Sequence, residues 1–218
     1  MNFFDKDNLI FTWLGYPMSY LEFLGSAAGG MAVWLSAKTN VLSWPLGLVN
    51  VVLFFFLFYQ VQLYPDMFLQ VFFFITNLVG WWRWTHPKAA EEDRKQELKV
   101  SWMTRREWWW TILPVISGTV LFGTLASRLH LWLPDLFNLP SAFPYADSFV
   151  TVISISATYL MVQKKIECWL AWIMADLVAT ALYFAKSIML VSAEYASFCV
   201  IAAFGYWHWR KEYLTYSS

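Results

Sequence analysis

Charged residues, cysteines and histidines are all scarce in this sequence. Only 14% of its 218 residues are Asp, Glu, Lys or Arg, and the two signs cancel to a formal net charge of zero. Without a basic excess, a nucleic-acid partner is not expected. The two cysteines, Cys168 and Cys199, lie far apart and exclude a CxxC metal or redox motif. The three histidines are equally scattered, so no metal site is predicted.

The sequence also lacks the motifs of intramembrane enzymes, pumps and retinal proteins. It contains no HExxH or GxSxG motif and no Walker phosphate-binding loop. A retinal protein would need a Schiff-base lysine in its last apolar run, and residues 193–209 contain none. We therefore predict neither catalytic residues nor a cofactor.

Apolar residues make up most of the chain. Hydrophobic side chains account for 59% of the residues and the mean hydropathy is +0.47, which is far from the composition of a soluble domain. Seven apolar runs are each long enough to cross roughly 30 Å of hydrocarbon with some tilt. These runs cover residues 20–37, 43–63, 66–84, 107–129, 145–163, 167–189 and 193–209. Since backbone groups in lipid must pair internally, we predict an all-α integral membrane protein with seven transmembrane helices.

Lysine and arginine residues are distributed unequally between the two predicted sides of the membrane. Twelve fall on one side: Lys38, Arg83, Lys88, Arg94, Lys95, Lys99, Arg105, Arg106, Lys164, Lys165, Arg210 and Lys211. The other side has only Lys6, Arg128 and Lys186. By the positive-inside rule, the N-terminus is expected outside and the C-terminus in the cytoplasm.

Residues 125 positions apart match between the two halves of the chain. The matches join Tyr20 to Tyr145, Trp44 to Trp169, and residues 80–84 to residues 205–209. This single register runs through three predicted spans. Two halves of three spans each require one linking span to keep the same direction, so we predict a 3+1+3 arrangement of two parallel repeats, as in SWEET sugar transporters.

The repeat divides the chain into four segments. We predict an N-terminal segment with the first three-helix repeat at 1–84, a cytoplasmic loop at 85–106, a linker helix at 107–129, and the second repeat with the C-terminal tail at 130–218. The loop is the one extended polar segment, and a solvated connection is favoured over a regulatory site.

Polar side chains inside the predicted spans are the candidates for ligand binding, because they are costly in hydrocarbon unless they are paired. At roughly 100° per residue, Trp169, Trp172, Asp176 and Tyr183 share one narrow stripe of a helix. Gln70, Asn77 and Trp84 form a similar stripe in the third span, and the two polar-aromatic stripes of opposite repeats are expected to face one cavity. The other polar candidates are Asn50, Gln70, Asn77 and Glu194. For each single amide residue, hydrogen bonding between packed helices is an equal alternative.

Three acidic residues within the spans lead to different expectations. Asp176 lies near mid-span, where a carboxylate must be protonated, paired or directed at a polar cavity, and a cationic ligand would suit it. Glu22 and Asp147 begin equivalent spans, where capping through the helix dipole is favoured over gating. Ser43, followed by Trp and Pro, predicts an N-cap for the second span.

Residues 44–84, WPLGLVNVVLFFFLFYQVQLYPDMFLQVFFFITNLVGWWRW, resemble the first repeat of bacterial PnuC-type vitamin transporters. In the second half, FPYADS at 143–148, WLAW at 169–172, Tyr183 and AEY at 193–195 are similar to the second repeat of the same family. The resemblance adds Tyr195 to the substrate-binding candidates.

This resemblance implies facilitated diffusion in the bacterial inner membrane, without ATP or a coupling ion. It also implies a homotrimer in which each protomer has its own substrate path. A cytoplasmic vitamin kinase would trap the transported vitamin and maintain the inward gradient.

One position departs from the family pattern for nicotinamide riboside. Those transporters have asparagine at the end of a WxxWxxxN arrangement, where this sequence has Asp176. Asparagine offers a donor and an acceptor to a carboxamide, whereas an ionised carboxylate offers only acceptors. Thiamin has a cationic thiazolium ring and an amino group that can donate, so we expect thiamin ahead of nicotinamide riboside, with riboflavin as a further alternative.

Overall fold

The structure, a computed structural model, describes residues 9–13, 16–60, 62, 64–93, 95–132, 141–186 and 188–216. Within these ranges the chain forms seven helices of 18 residues or more. The helices are α1 (Tyr20–Ala37), α2 (Ser43–Gln60), α3 (Tyr64–Thr85), α4 (Arg105–Trp132), α5 (Pro144–Val162), α6 (Glu167–Ala185) and α7 (Met189–Thr215). Each predicted apolar run corresponds to one of these helices, so the expectation of seven helices is confirmed.

A short β-hairpin precedes α1 and corrects the expectation of an entirely helical chain. Strand β1 (Leu9–Trp13) pairs antiparallel with β2 (Tyr16–Ser19), with Trp13 opposite Tyr16. The sequence LIFTW is rich in the branched and aromatic residues that favour strands. Its strands, of five and four residues, are far shorter than a membrane span, so the apolar runs do not predict the hairpin.

The helices belong to two compact units, Met1–Leu98 and Lys99–Ser218. In the first unit, α2 packs against both α1 and α3. In the second unit, α5 packs against α4 and α6, and α6 packs against α7. Within each unit, each helix therefore packs against its neighbours in sequence, as short connections between antiparallel helices require.

The turn after the first helix of each repeat has the same backbone geometry in both units. Thr39 and Lys164, 125 residues apart, have φ angles of 57° and 53°. The next residue in each case donates its N–H back to the preceding helix, from Asn40 to the Leu35 carbonyl at 3.0 Å and from Lys165 to the Leu160 carbonyl at 2.9 Å. The local structure therefore repeats with the same offset as the sequence.

Buried tryptophans repeat in the same way. The rings of Trp44 and Trp84 meet edge to face with centroids 5.2 Å apart and an interplanar angle of 89°. The rings of Trp169 and Trp209 meet with centroids 5.5 Å apart and an angle of 87°. All four rings are almost completely buried, which identifies them as the core of their units.

Four helices in the described part of the chain, α2, α4, α5 and α6, are long and apolar enough to cross a membrane. Among the other three, α3 has Gln70, Asn77 and Arg83, which lower its mean hydropathy. Large apolar side chains are exposed along the helices, including Trp110 at 69% and Val200 at 71%. Apolar surface of this extent is typical of helices that face lipid.

The start of α2 differs from the sequence prediction. Ser43 is already the first helical residue, and its buried hydroxyl has no hydrogen-bond partner among the described residues, so the predicted N-cap is wrong. A serine does cap α1: the Ser19 hydroxyl accepts a hydrogen bond from the Glu22 amide at 3.2 Å. Glu22 lies in the first turn of α1, where its charge is favourable for the helix dipole.

The segment between α3 and α4 contains more structure than a solvated connection. A short 3-10 turn at Ala89–Glu91 is held by an ion pair of 2.8 Å between Arg83 and Glu91. The Arg83 hydrogen bond holds the pKa of the Glu91 carboxyl below its usual value of 4.5. Further along, Leu98 and Val100 are buried, at 3% and 1% exposure. The expectation of a solvated connection is therefore wrong for this end of the segment.

Candidate functional site

The second unit brings three of the predicted site residues together. Asp176 and Tyr183 lie on the same face of α6, and Tyr195 lies in the first part of α7. The rings of Tyr183 and Tyr195 are stacked, with centroids 5.4 Å apart and an interplanar angle of 7°. Asp176 interacts electrostatically with Tyr195. An acidic group and two parallel aromatic rings thus form one cluster, which has the chemistry to bind a cationic ring.

The Asp176 carboxylate is buried without a counter-ion. The residue is 4% exposed, and its side chain has neither a hydrogen-bond donor nor a cation as partner in the described part of the chain. Only its backbone carbonyl is engaged, by the Thr180 hydroxyl at 2.7 Å. A buried carboxylate in this state gains from a ligand that brings positive charge or hydrogen-bond donors.

Lys186 lies at the C-terminal end of α6, three residues after Tyr183. Its Nζ atom is 3.1 Å and 3.3 Å from the two carboxylate oxygens of Asp147 in the first turn of α5. The same ammonium group lies 5.7 Å from the ring centroid of Tyr183 and 6.0 Å from that of Phe143. Asp147 therefore binds a lysine, and it also lies in the first turn of α5, where its charge is favourable for the helix dipole as predicted.

Lys186 is not among the site residues predicted from the sequence, where it counts only as one of three cations on the outer side of the membrane. The missed signal was the opposite sign of Asp147 and Lys186 at the adjacent ends of two antiparallel helices. Such a pair can be proposed once α5 and α6 are taken as neighbours, because the start of one then lies beside the end of the other.

Trp169 is placed as a core residue. It is 2% exposed, and a Cβ atom built on Gly205 would lie 2.6 Å from its ring. Trp44 makes the equivalent contact with Gly80 in the first unit. The ring nitrogens of both tryptophans are buried and have no hydrogen-bond partner among the described residues. The repeated contact indicates a packing role for Trp169.

The two asparagines of the first unit bond to backbone carbonyls. Asn50 in α2 donates from Nδ2 to the Gly25 carbonyl in α1 at 2.8 Å. Asn77 donates from Nδ2 to the Phe73 carbonyl of its own helix at 2.8 Å, and its amide lies against Gly47. For Asn50 this geometry is the helix-to-helix bonding that was the alternative to ligand binding.

Three other predicted residues make no side-chain hydrogen bond with the described residues. Gln70 in α3 and Trp172 in α6 are partly exposed, and Glu194 in α7 is exposed beside Tyr195. Gln70 belongs to the first unit and the other two to the second. Their side chains are accessible for a ligand.

An apolar cavity of about 390 Å³ lies at the same end of the second unit as Lys186. Its walls include Leu177, Val178 and Ala181 of α6, together with Phe143 and Ala146. At 100° per residue these α6 side chains lie on the opposite face of the helix from the site cluster. This cavity is therefore separate from the predicted polar site and lacks groups that would orient a polar ligand.

Comparison with known proteins identifies the family. Residues 19–211 match the family described as Nicotinamide mononucleotide transporter. The chain belongs to this family. It is a multi-pass membrane transporter of the PnuC vitamin type, as the motifs in the two repeats predicted.

Several relatives are similar along most of their length. The nicotinamide riboside transporter PnuC of Escherichia coli (strain K12) is 32% identical over 212 residues, covering 89% of this chain and 87% of the relative. The protein of the same name from Neisseria mucosa is 26% identical over 203 residues, with 89% and 73% covered. The riboflavin/roseoflavin transporter RibM of Streptomyces davaonensis is 24% identical over 189 residues, with 86% and 83% covered.

A solved structure shares the fold. The crystal structure of the vitamin B3 transporter PnuC superimposes with a TM-score of 0.59 at 24% identity, covering 88% of this chain and 81% of that one.

The expectation of thiamin is not supported. The relatives named above carry nicotinamide riboside or riboflavin in their names, and none of these three is named for thiamin. The physical reason is that a carboxylate at Asp176 attracts any cationic ring, so the change from asparagine does not by itself select thiamin.

Proposed function

We propose that this protein carries nicotinamide riboside across a bacterial inner membrane. The observation that carries the proposal is the 32% identity over 212 residues to the nicotinamide riboside transporter of Escherichia coli. Riboflavin is a second candidate because RibM is also a relative.

The chemistry of the second unit supports this ligand. Nicotinamide riboside contains a planar pyridinium cation, which can stack on the tyrosine pair of α6 and α7. Asp176 supplies the counter-charge that the buried site otherwise lacks. Riboflavin has a neutral ring system, so it would fill the aromatic part of the site and leave the carboxylate without a cation.

The transport mechanism that we propose is facilitated diffusion with metabolic trapping. Helices α1–α3 and α5–α7 form the two parallel repeats, and α4 is the linker of a 3+1+3 protomer. The repeated turns and tryptophan pairs support this arrangement. With the N-terminus outside and the C-terminus in the cytoplasm, a cytoplasmic vitamin kinase removes the free vitamin. The assembly is a homotrimer, with one substrate path in each protomer.

Substrate identity is tested with purified protein. Isothermal titration calorimetry with nicotinamide riboside, thiamin and riboflavin gives the affinity, and uptake into proteoliposomes shows whether the bound compound crosses unchanged. We expect binding and uptake of nicotinamide riboside, with thiamin and riboflavin weaker by at least about tenfold. Tighter binding of either competitor would reject the assignment.

Two substitutions test the site itself. Asp176→Val removes the charge and both acceptor oxygens at nearly the same size and is expected to weaken nicotinamide riboside binding by about 10- to 100-fold, since hydrogen bonds to charged groups contribute about 1.5–3 kcal/mol. Tyr183→Leu removes one stacking ring and is expected to weaken it by a similar factor. Tyr159→Leu is the matched control, because that ring is 61% exposed on α5. Equal affinity in all three variants would remove the cluster from the substrate path.

A further inference from the structure

Three polar or aromatic side chains follow one another along the same side of α6 and its C-cap residue. From Asp176, Tyr183 is seven residues further on and Lys186 ten, which places them about 10 Å and 15 Å along the helix axis. The tyrosine, stacked on Tyr195, thus lies between the buried carboxylate and the lysine at the helix end. An approach to Asp176 along this face from that end therefore runs past the tyrosine pair.

Lys186 fixes this arrangement in two ways. Its ion pair with Asp147 joins the end of α6 to the start of α5. Its ammonium group also lies within cation–π distance of the Tyr183 ring. The lysine occupies one face of a ring whose other neighbour is Tyr195. A planar ligand therefore meets a ring that already has an aromatic partner and a cation.

We propose that Asp147 and Lys186 form a latch that holds the Tyr183 and Tyr195 rings closed over Asp176. The inference rests on the proposed function, in which a cationic vitamin enters past these rings. An arriving pyridinium competes with the Lys186 ammonium for Tyr183, and Asp147 retains the displaced lysine. The latch thereby favours ligands that carry both a flat ring and a positive charge.

A native cysteine reports on the latch without any vitamin. Cys199 lies one turn after Tyr195 on α7 and interacts electrostatically with Asp176, so it lies on the far side of the tyrosine pair from Lys186. The other cysteine, Cys168, is completely buried and is replaced by serine, the residue at the equivalent position of the first repeat.

The measurement is the rate at which a membrane-impermeant cationic methanethiosulfonate labels Cys199. The reagent is applied to whole cells and, separately, to inverted vesicles. In the Cys168→Ser background we expect slow labelling from the side of Lys186. Lys186→Met and Asp147→Asn each raise that rate by about tenfold. The charge-exchanged variant with Asp147→Lys and Lys186→Asp restores slow labelling.

Arg128→Met, which removes an exposed cation at the end of α4, is the control and leaves the rate unchanged. The latch is overturned if both single variants label Cys199 at the parental rate, or if the charge exchange fails to slow labelling again. Gel filtration confirms that each variant retains the parental assembly. The labelling measurement needs no vitamin, so it tests the latch independently of transport. If the protein shows this labelling pattern but does not transport nicotinamide riboside, the latch is supported and the proposed function is rejected.

Discussion

Substituting the glycine that lies against Trp169 tests the repeated core directly. In Gly205→Ala, the new Cβ atom would lie 2.6 Å from two ring carbons of Trp169 and 2.8 Å from a third. Ordinary contact of a Cβ atom is 3.4–4 Å, so the ring or α7 must move by roughly 1 Å. The ring is 2% exposed and meets Trp209 on another side, and it therefore has little room to move.

The expected magnitude combines two opposing terms. Overpacking a well-packed core costs about 1–3 kcal/mol. Alanine in place of glycine in a helix contributes about 0.8–1 kcal/mol in the stabilising direction. The free energy of unfolding should therefore fall by about 0–2 kcal/mol. For a chain of this size that corresponds to a loss of at most about 8 °C in Tm.

Thermal unfolding in detergent, followed by far-UV circular dichroism, gives the Tm. Gly30→Ala is the matched control, because a Cβ atom there has no neighbour within 4 Å and only the helix-propensity gain remains. Gly80→Ala, which meets Trp44 in the first unit, should behave like Gly205→Ala. If Gly205→Ala and Gly30→Ala have the same Tm, the close approach of glycine and tryptophan is not a constraint and the reasoning fails.

Two further predictions concern polar groups of the first unit. Asn50→Leu removes the hydrogen bond to the Gly25 carbonyl and should lower the free energy of unfolding by about 0.6–2 kcal/mol while vitamin affinity stays unchanged. Calorimetry of the variant checks this. A loss of vitamin affinity at unchanged Tm would indicate that Asn50 binds the vitamin. Because Arg83 lowers the pKa of Glu91 in the folded state, this pair stabilises the fold above pH 4.5 and the stabilisation is lost as the pH falls through the lowered pKa. The Tm difference between the parent and Glu91→Gln should therefore shrink on acidification, and a difference that grows would contradict it.

The helices were predictable from the sequence because lipid imposes a simple rule. An apolar run of sufficient length must be helical, and α1 begins and ends at the residues expected for the first run. The β-hairpin at Leu9–Trp13 follows no such rule, since its strands are short. The prediction that Ser43 caps α2 is wrong for a local reason: the helix begins one residue earlier than expected, so the serine lies inside the first turn.

The site was predictable only as far as one helix determines it. The helical period places Asp176 and Tyr183 on one face without any knowledge of the neighbouring helices. The partners of Lys186 and Asn50 depend on which helices pack together and on how far each helix is shifted along the axis of its neighbour. Those contacts join α5 to α6 and α1 to α2, which composition and periodicity do not specify.

In one pair of equivalent positions, the larger and the smaller residue have changed places between the two repeats. In the first unit Asn77 lies against Gly47. At the same offset, the second unit has Ala202 and Trp172, so the large residue is on the other helix of the pair. Tryptophan is much larger than asparagine, so the exchange keeps one large and one small residue in the pair but does not keep the volume. Packing alone therefore does not account for the partly exposed Trp172.

No such exchange accounts for Asp176. The equivalent residue of the first repeat is Val51, which has nearly the same size and shape, and both residues are 4% exposed. An apolar side chain thus fills this place in the bundle without difficulty. A buried, unpaired carboxylate in the same place destabilises the fold by several kcal/mol relative to valine. Since packing gives no reason for the charge, we propose that its stabilising partner is the cationic ligand of the proposed function.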